Sequence, residues 1–419
     1  MPYDVKDIGL SAEGARGIDW VRANMPLLRA LEEKYAGLLP EEKPLHNVKI
    51  SLSIHMEPKT AYLCKVLSLA GAVVSATGSN VLSTQDSVAA ALAAEGIHIY
   101  AIHGESEDDY FRHIEMCLEH KPNIVIDDGG DLVGMLHGKR PDLATDVWGG
   151  CEETTTGILR LNAMERTGEL KFPMLAVNDA RCKYLFDNRY GTGQSVWDSI
   201  LRNTNLIIAS KTVVVAGYGW CSKGIAMRAA ALGASVIVTE IDPVKAIEAR
   251  MDGYAVMTMD EAAPYGDIFI SATGCKDVIT MRHILKMKDR TILANAGHFN
   301  VEVDVVGLEK SALQSYEARK NITAYVLENG KTVMLMAEGR LVNLAAADGH
   351  PAEIMDMSFA VQFHAALYLA QHKGLLENRV HRVSAEIDEQ IAREKLKSWG
   401  VKIDSLTPEQ EKYLGNWKV

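Results

Sequence analysis

Apolar positions along this chain alternate between strand-like runs and helical spacing, and the changes mark out a repeating strand–helix order. Thr212 to Ala216 is an unbroken apolar, β-branched run, the pattern of a strand buried on both faces. Gly217, Tyr218 and Gly219 follow it. Lys223 to Gly233 then reads as a helix closed by glycine, and Ala234 to Thr239 as a second strand. Five stretches before this unit read as strands: Val48 to Ile54, Ala72 to Ala76, Ile97 to Ile102, Asn123 to Ile126 and Met174 to Val177. Ile268 to Ile270 and Thr291 to Ala294 read as strands after it. Helical spacing covers much of residues 10–39, the stretch opened by Pro58, and a long stretch around Ser358 to His372.

The expected fold is therefore α/β, with two doubly wound parallel-sheet domains, one a Rossmann domain, and a short C-terminal helical tail. Residues 1–189 plus 350–385 are expected to form the first domain, 190–349 the dinucleotide-binding domain and 386–419 the tail. The polar, glycine-containing stretch from Tyr190 to Gly193 is the expected hinge between them.

Ligands of open α/β sheets gather where strands end, and there the polar residues cluster. After Thr212 to Ala216 the fingerprint runs Gly217, Gly219, then Ser222 where a third glycine is usual, with Gly224 beyond. The glycines admit a pyrophosphate at a helix N-terminus. Glu240, about 20 residues on, suits a ribose hydroxyl pair and would repel a 2′-phosphate, which favours NAD over NADP. His55, Glu57, Lys59 and Thr60 follow the first strand, and Ser83-Thr84-Gln85-Asp86 lies ahead of an alanine-rich helix. Asp127-Asp128-Gly129-Gly130-Asp131 places three carboxylates in five residues. It reads as a surface acidic turn or as a buried catalytic carboxylate of raised pKa. No neighbouring ligand completes an octahedral set, so no metal is expected. Thr154, Thr155 and Thr156 cap a helix or hydrogen-bond a cofactor.

Composition narrows the class. The 419 residues are 47% hydrophobic and 24% charged, as in ordinary globular proteins, with a net charge of −11 that argues against a nucleic-acid partner. No apolar run approaches membrane-spanning length, and the N-terminus lacks a signal-peptide core. The six cysteines are scattered without metal-ligand spacing. A cytoplasmic enzyme with reduced thiols is expected.

The segments SIHMEPKTAYL, NVLSTQDSVAAAL, VIDDGGDL, EETTTG, FDNRYGTGQS, VVVAGYGWCSKG, SATGC, NAGHFN, AEGRLVNLA and DGHP together resemble the S-adenosylhomocysteine hydrolase family over nearly the whole chain. The resemblance implies a catalytic NAD and a cycle in which the substrate's 3′-hydroxyl is oxidised and the 4′ proton is lost. Homocysteine is then eliminated, water adds and the ketone is reduced again. It also implies roles. Lys183 with Asp187 handles the 3′-hydroxyl proton, with Lys183 lowered in pKa to act as a base. Asp131 acts at the 4′ carbon or supports the group that does, His55 serves the leaving group and water, and Glu153 binds the ribose and tunes Lys183. Asn188 and His298 position the nicotinamide and ribose. Glu57, Lys59, Thr60, Gln85, His350 and Met355 bind substrate, while Thr154, Thr155, Thr156, Gly217, Gly219, Ser222, Gly224, Glu240, Thr273 and Asn343 hold NAD. A homo-oligomer, dimer or tetramer, is expected.

Three departures from the family pattern stand out. Thr192 occupies the place of a usual cysteine, and the tail ends at Asn416-Trp417-Lys418-Val419, short of the family's usual lysine- and tyrosine-bearing end. Glu57-Pro58-Lys59 replaces threonine-valine-glutamate. The usual glutamate accepts adenine's amino group; a lysine only donates and suits the carbonyl of hypoxanthine, with Glu57 accepting the ring N–H. That resembles the archaeal branch acting on S-inosylhomocysteine. The alternatives are the adenosyl substrate, or an ordinary NAD-dependent hydroxy-acid dehydrogenase.

Overall fold

A computed structural model describes residues 2–417; Met1 and the last two tail residues, Lys418 and Val419, lie outside the described residues. Among the described residues, sixteen strands build two eight-stranded sheets. The first contains β1 (Tyr3–Asp4), β2 (Lys49–Ser53), β3 (Val73–Thr77), β4 (His98–Tyr100), β5 (Ile124–Asp127), β6 (Gly149–Glu152), β7 (Met174–Ala176) and, from far along the chain, β16 (Val380–Arg382). Its order is β1-β4-β3-β2-β5-β6-β7-β16, and every pairing is parallel.

The second sheet contains β8 (Thr212–Ala216), β9 (Ser235–Thr239), β10 (Ala255–Val256), β11 (Ile268–Ser271), β12 (Thr291–Asn295), β13 (Ala312–Arg319), β14 (Ile322–Leu327) and β15 (Thr332–Met336). Its order is β10-β9-β8-β11-β12-β15-β14-β13. Six strands are parallel; β14 and β13 add an antiparallel hairpin at one edge, which the doubly wound expectation lacked.

Both sheets reverse direction of growth near their centre. In the first, the chain leaves β2 for β3 and β4 on one side, then returns to β5 on the other. In the second, it leaves β8 for β9 and β10, then returns to β11. A crevice opens at the strand ends wherever such a reversal occurs, so His55 and Asp128 flank one crevice, and Gly217 and Thr273 the other.

Two glycine stretches are set by close contacts. Gly149-Gly150 begins β6. A Cβ on Gly149 would lie 2.7 Å from the Leu369 side chain, and one on Gly150 2.5 Å from Val125. Gly149 admits the helix Ala352–Gln371, whose Phe359, Phe363 and Ala365 are buried in the first core, while Gly150 makes room for the Val125 and Met174 side chains of the neighbouring strands. The expected hinge is helical. Arg181–Lys183, a wide π-helical stretch Tyr184–Gly191 and Thr192–Thr204 follow one another without a loop. Gly193 and Gly224 let this helix cross Trp220–Ala231 closely, since a Cβ on Gly224 would lie 1.7 Å from the Arg189 carbonyl. The tail's first helix, Ala385–Ser398, buries Ile391 in the first core, so it packs as part of that unit.

Candidate active site

Both crevices open into one cleft of about 2140 Å³. That exceeds the roughly 300–1,000 Å³ of a drug-sized pocket and suits a dinucleotide beside a second ligand.

One acid–base group lies at the first crevice. His55 follows β2, Asp128 follows β5, and His298 reaches across from the end of β12. His55 Nε2 is 3.3 Å from Asp128 Oδ2, and His298 Nδ1 is 3.8 Å from Asp128 Oδ1. Burial, reinforced by His298 and His350 and opposed by Asp128, lowers His55 to about 4. Gly129 makes the approach possible: its φ is +107°, and a Cβ there would lie 2.2 Å from His298 Nε2. These three residues each offer a ligand atom within 4.8 Å of the others, a spacing that a divalent cation could bridge. The histidines that the acidic run lacked in sequence come from other elements.

Asp131 is not in this group, which corrects the expectation. Its carboxylate accepts from Arg160 at 2.7 Å and from the Tyr110 hydroxyl at 3.1 Å. Gly129 and Gly130, both left-handed, turn the chain between Asp128 and Asp131 so that the two point apart. Asp128 faces the cleft instead. Asp127 is spent within the first unit, accepting from the backbone N–H groups of Asp128 and Val133, and burial raises it to about 7.

A second group surrounds Lys183. Its Nζ lies 2.8 Å from Asn188 Oδ1, 3.2 Å from Asp187 Oδ2 and 3.3 Å from Glu153 Oε1. The π-helical stretch brings Lys183, Asp187 and Asn188 to one side; such wide turns recur at functional sites. Burial pulls the Lys183 ammonium down, but the Asp187 and Glu153 carboxylates outweigh it and hold the pKa above the ordinary lysine value. The expected lowering is thus absent from the protein's own residues. The two carboxylates separate. Burial pushes Glu153 up to about 8, whereas Asp187 falls below the usual range because Lys183, His350 and the Ser358 hydroxyl overcome its burial. Asp187 is the fixed charge and Glu153 the carboxyl that titrates near neutrality. Gln362 donates to Glu153.

Glu57, Lys59 and Thr60 open the helix Pro58–Leu69 at another wall of the cleft. Glu57 caps it, accepting from the N–H groups of Lys59 and Thr60. Lys59 Nζ lies 2.7 Å from Glu57 Oε2 and 2.9 Å from the Asp348 carbonyl. Lys59 does not reach solvent; it is 6% exposed. Met355 and His350 line the same cleft, with His350 Nε2 3.2 Å from the Thr192 hydroxyl. That hydroxyl also contacts Cys221 Sγ at 3.5 Å.

The dinucleotide edge fits its cofactor. Gly217 has φ +94°, and Gly219 has open space where a Cβ would be. Glu240 lines the cleft, anchored by the N–H groups of Tyr218 and Ile241. Asn343 is buried in the lining, and its Oδ1 has no partner among the described residues, an acceptor awaiting a donor such as an amide or ribose hydroxyl. Thr273 is held by Glu302 at 2.8 Å. Thr154, Thr155 and Thr156 line the cleft as well, although the Thr154 hydroxyl is already engaged with Gly157 N–H and Glu152.

Three expected binders lie elsewhere. Ser222 hydrogen-bonds the Ala272 carbonyl, Gly224 is a helix-crossing point, and Gln85 uses its backbone N–H on the Met56 carbonyl. Sequence reasoning named Asp128 and Ser83 only within their polar runs and gave neither a role, and it passed over Gln362 and Glu302, which carry no local signal.

Fold and cleft together define a two-sheet, dinucleotide-dependent enzyme with acid–base groups on the second ligand's side. Residues 2–143 match S-adenosyl-L-homocysteine hydrolase, and residues 188–349 match the S-adenosyl-L-homocysteine hydrolase NAD binding domain. The chain belongs to the S-adenosyl-L-homocysteine hydrolase family and works with NAD. It is 55% identical to an adenosylhomocysteinase of Thermococcus kodakarensis, over 99% of this chain and 98% of that one. It is likewise 55% identical to an S-inosyl-L-homocysteine hydrolase of Methanocaldococcus jannaschii, over 99% of each chain. A second S-inosyl-L-homocysteine hydrolase, from Methanopyrus kandleri, is 51% identical over 99% of this chain and 97% of that one. The hydroxy-acid dehydrogenase alternative finds no support in these relatives. No helix among the described residues is long and apolar enough to cross a membrane.

Proposed function

We propose that the enzyme hydrolyses the thioether of S-inosyl-L-homocysteine in preference to S-adenosyl-L-homocysteine, reversibly, giving homocysteine and the nucleoside. The observation that carries the choice is the buried Lys59–Glu57 pair in the cleft wall. An ammonium has three N–H donors. Two go to Glu57 and the Asp348 carbonyl, leaving one for a base carbonyl. Glu57 then accepts the ring N–H of hypoxanthine. Adenine would set donor against donor and acceptor against acceptor, each mismatch costing roughly 1–3 kcal/mol, about five- to 150-fold.

In this reading residues 1–189 and 350–385 hold the substrate and residues 190–349 hold NAD, through Gly217, Gly219, Glu240, Thr273 and Asn343. When bound, NAD supplies the hydride acceptor, and later the donor, at the 3′ carbon. Lys183 is held as an ammonium by Asp187 and Glu153. With the positively charged nicotinamide beside it, it would give up a proton. The free amine would then take the 3′-hydroxyl proton and return it, while Asp187 keeps the side chain oriented. Glu153 and Asn188 hold the ribose side of the site. Asp128 removes the acidified 4′ proton, and His55 gives a proton to the departing sulfur and takes one from the entering water. His298 closes the cleft over them. The protein is proposed to work in the cytoplasm as a homo-oligomer.

The test is hydrolysis of the two thioethers side by side, with NAD supplied and homocysteine measured. A tenfold or greater advantage for the inosyl compound is expected. An adenosyl advantage overturns the base-reading role of Lys59, and cleavage of neither overturns the whole reading.

A further inference from the structure

We propose that Ser83 is a positioning residue that holds the His55 imidazole in its Nδ1–H form, making Nε2 the nitrogen that exchanges protons in the cleft. The inference rests on the role given above to His55, but its evidence is the geometry behind the ring.

Ser83 is 4% exposed and sits in the turn between β3 and the helix Asp86–Ala94. Its hydroxyl lies 2.7 Å from His55 Nδ1 and 3.1 Å from the Asn80 carbonyl. A hydroxyl has one proton, and a carbonyl only accepts. The proton therefore goes to Asn80, and the Ser83 oxygen receives Nδ1–H. This is the arrangement in which both contacts are hydrogen bonds. In the reverse one, the hydroxyl would turn to the ring and leave oxygen facing oxygen at 3.1 Å. The turn keeps Ser83 in place: its own N–H reaches the Asn80 carbonyl, and Asn80 Oδ1 accepts from Leu82 N–H at 2.9 Å.

Nε2 of the neutral ring is then a lone pair, 3.3 Å from Asp128 Oδ2, which already accepts from the Ser79 hydroxyl. Two groups that close can pass one proton between them. The charged and titratable groups facing the ring are Asp128, which favours the charged ring, and His298 and His350, which together with burial outweigh it. In elimination Asp128 takes the C4′ proton and passes it through Nε2 to the sulfur as the C5′–S bond breaks. In hydration the water oxygen bonds C5′, and its proton goes to Nε2 and on through Asp128 to C4′. Protons balance over the two steps. A ring carrying its proton on Nε2 at rest could not accept from water there.

Neutron diffraction from deuterium-exchanged crystals of the NAD-bound enzyme at neutral pH tests this directly. Deuterium is expected on His55 Nδ1, with the Ser83 O–D aimed at the Asn80 carbonyl; deuterium on Nε2 with a bare Nδ1 overturns the proposal. Kinetics give the second arm. Ser83→Ala is expected to lower kcat by about 10- to 100-fold and shift the acid limb of its pH profile, with KM within about twofold. Ser83→Thr, which keeps a hydroxyl, is expected to restore most of the rate. A Ser83→Ala enzyme with wild-type kcat and pH profile overturns the proposal. The diffraction arm needs no turnover. A protein that cleaves neither thioether yet carries Nδ1–D refutes the functional reading alone.

Discussion

Lys59 Nζ lies 2.7 Å from Glu57 Oε2, with the two side chains 7% and 5% exposed. A buried pair of this kind is costly to break because the remaining charge stays desolvated. Glu57 is partly protected, since it also caps the helix Pro58–Leu69. Lys59→Gln replaces a donor-only group with an amide that can donate or accept. The expected result is a loss of about 30-fold in kcat/KM for the inosyl thioether, corresponding to about 2 kcal/mol, and a change under about threefold for the adenosyl one. Equal losses on both substrates would mean that Lys59 supports the wall without reading the base.

Asp128 and Asp131 offer the clearest contrast between neighbours. Asp128→Asn keeps the shape of the cleft and removes a proton acceptor beside His55, so kcat is expected to fall by about 10²-fold or more. Asp131→Asn loosens the links to Arg160 and Tyr110 on the far side. It is expected to cost about 1 kcal/mol in thermal stability, with kcat changed by less than about threefold. Steady-state rates and melting curves of the two variants decide it; the reverse ranking would return Asp131 to the active site.

Glu153 gives a pH signature in the protein without cofactor. Burial raises its folded-state pKa from 4.5 to about 8. The folded state then holds a proton that the unfolded chain has released, so this group's contribution is complete below about 4.5 and is lost as pH rises through 8. Glu153→Gln removes that titration. Denaturant unfolding between pH 5 and pH 9 is expected to show wild type losing stability relative to the variant as pH rises. A constant difference across the range would mean Glu153 stays ionised.

Much of this architecture was legible because strands buried on both faces write themselves as apolar runs. β8, β11 and the body of β5 and β12 do so, β2 shows itself by alternation, and the fingerprint glycines follow β8 in the required order. What escaped lacks such a signal. β6 begins with two glycines selected by contact with Leu369, Val125 and Met174, which no local pattern reveals. β13 is exposed along most of its length and carries no alternation, so the edge hairpin went unread. Tyr190 to Gly193 has the composition of a hinge, yet its glycines serve a helix crossing. At the site, the strand-end rule found His55, while Glu153 came only with the family resemblance; orientation within the acidic run depends on two left-handed glycines, and there Asp131 was preferred to Asp128. The lysine expected to be acidified is held protonated by carboxylates four and thirty residues away, a balance set by folding.

The same division between contact and ligand separates two glycines of the dinucleotide unit. Gly219 has φ −74° and nothing within 4 Å of a Cβ, so Gly219→Ala meets no protein atom and should leave the melting temperature nearly unchanged. Its Cβ would instead stand at the start of the helix Trp220–Ala231, where the pyrophosphate must approach the backbone. NAD affinity is therefore expected to fall by tenfold or more, roughly 1.4 kcal/mol. Gly224 is the opposite case, because its Cβ would meet the Arg189 carbonyl at 1.7 Å, with backbone on both sides and no flexible side chain to yield. Gly224→Ala forces apart the two helices that carry the cofactor unit and the Lys183 group, and about 3 kcal/mol or more of stability is expected to go with it. Calorimetry of NAD binding, set beside melting curves for both variants, reads the two effects separately. A Gly219→Ala protein that melts early, or a Gly224→Ala protein that melts normally, would show that these two helices are not packed as described.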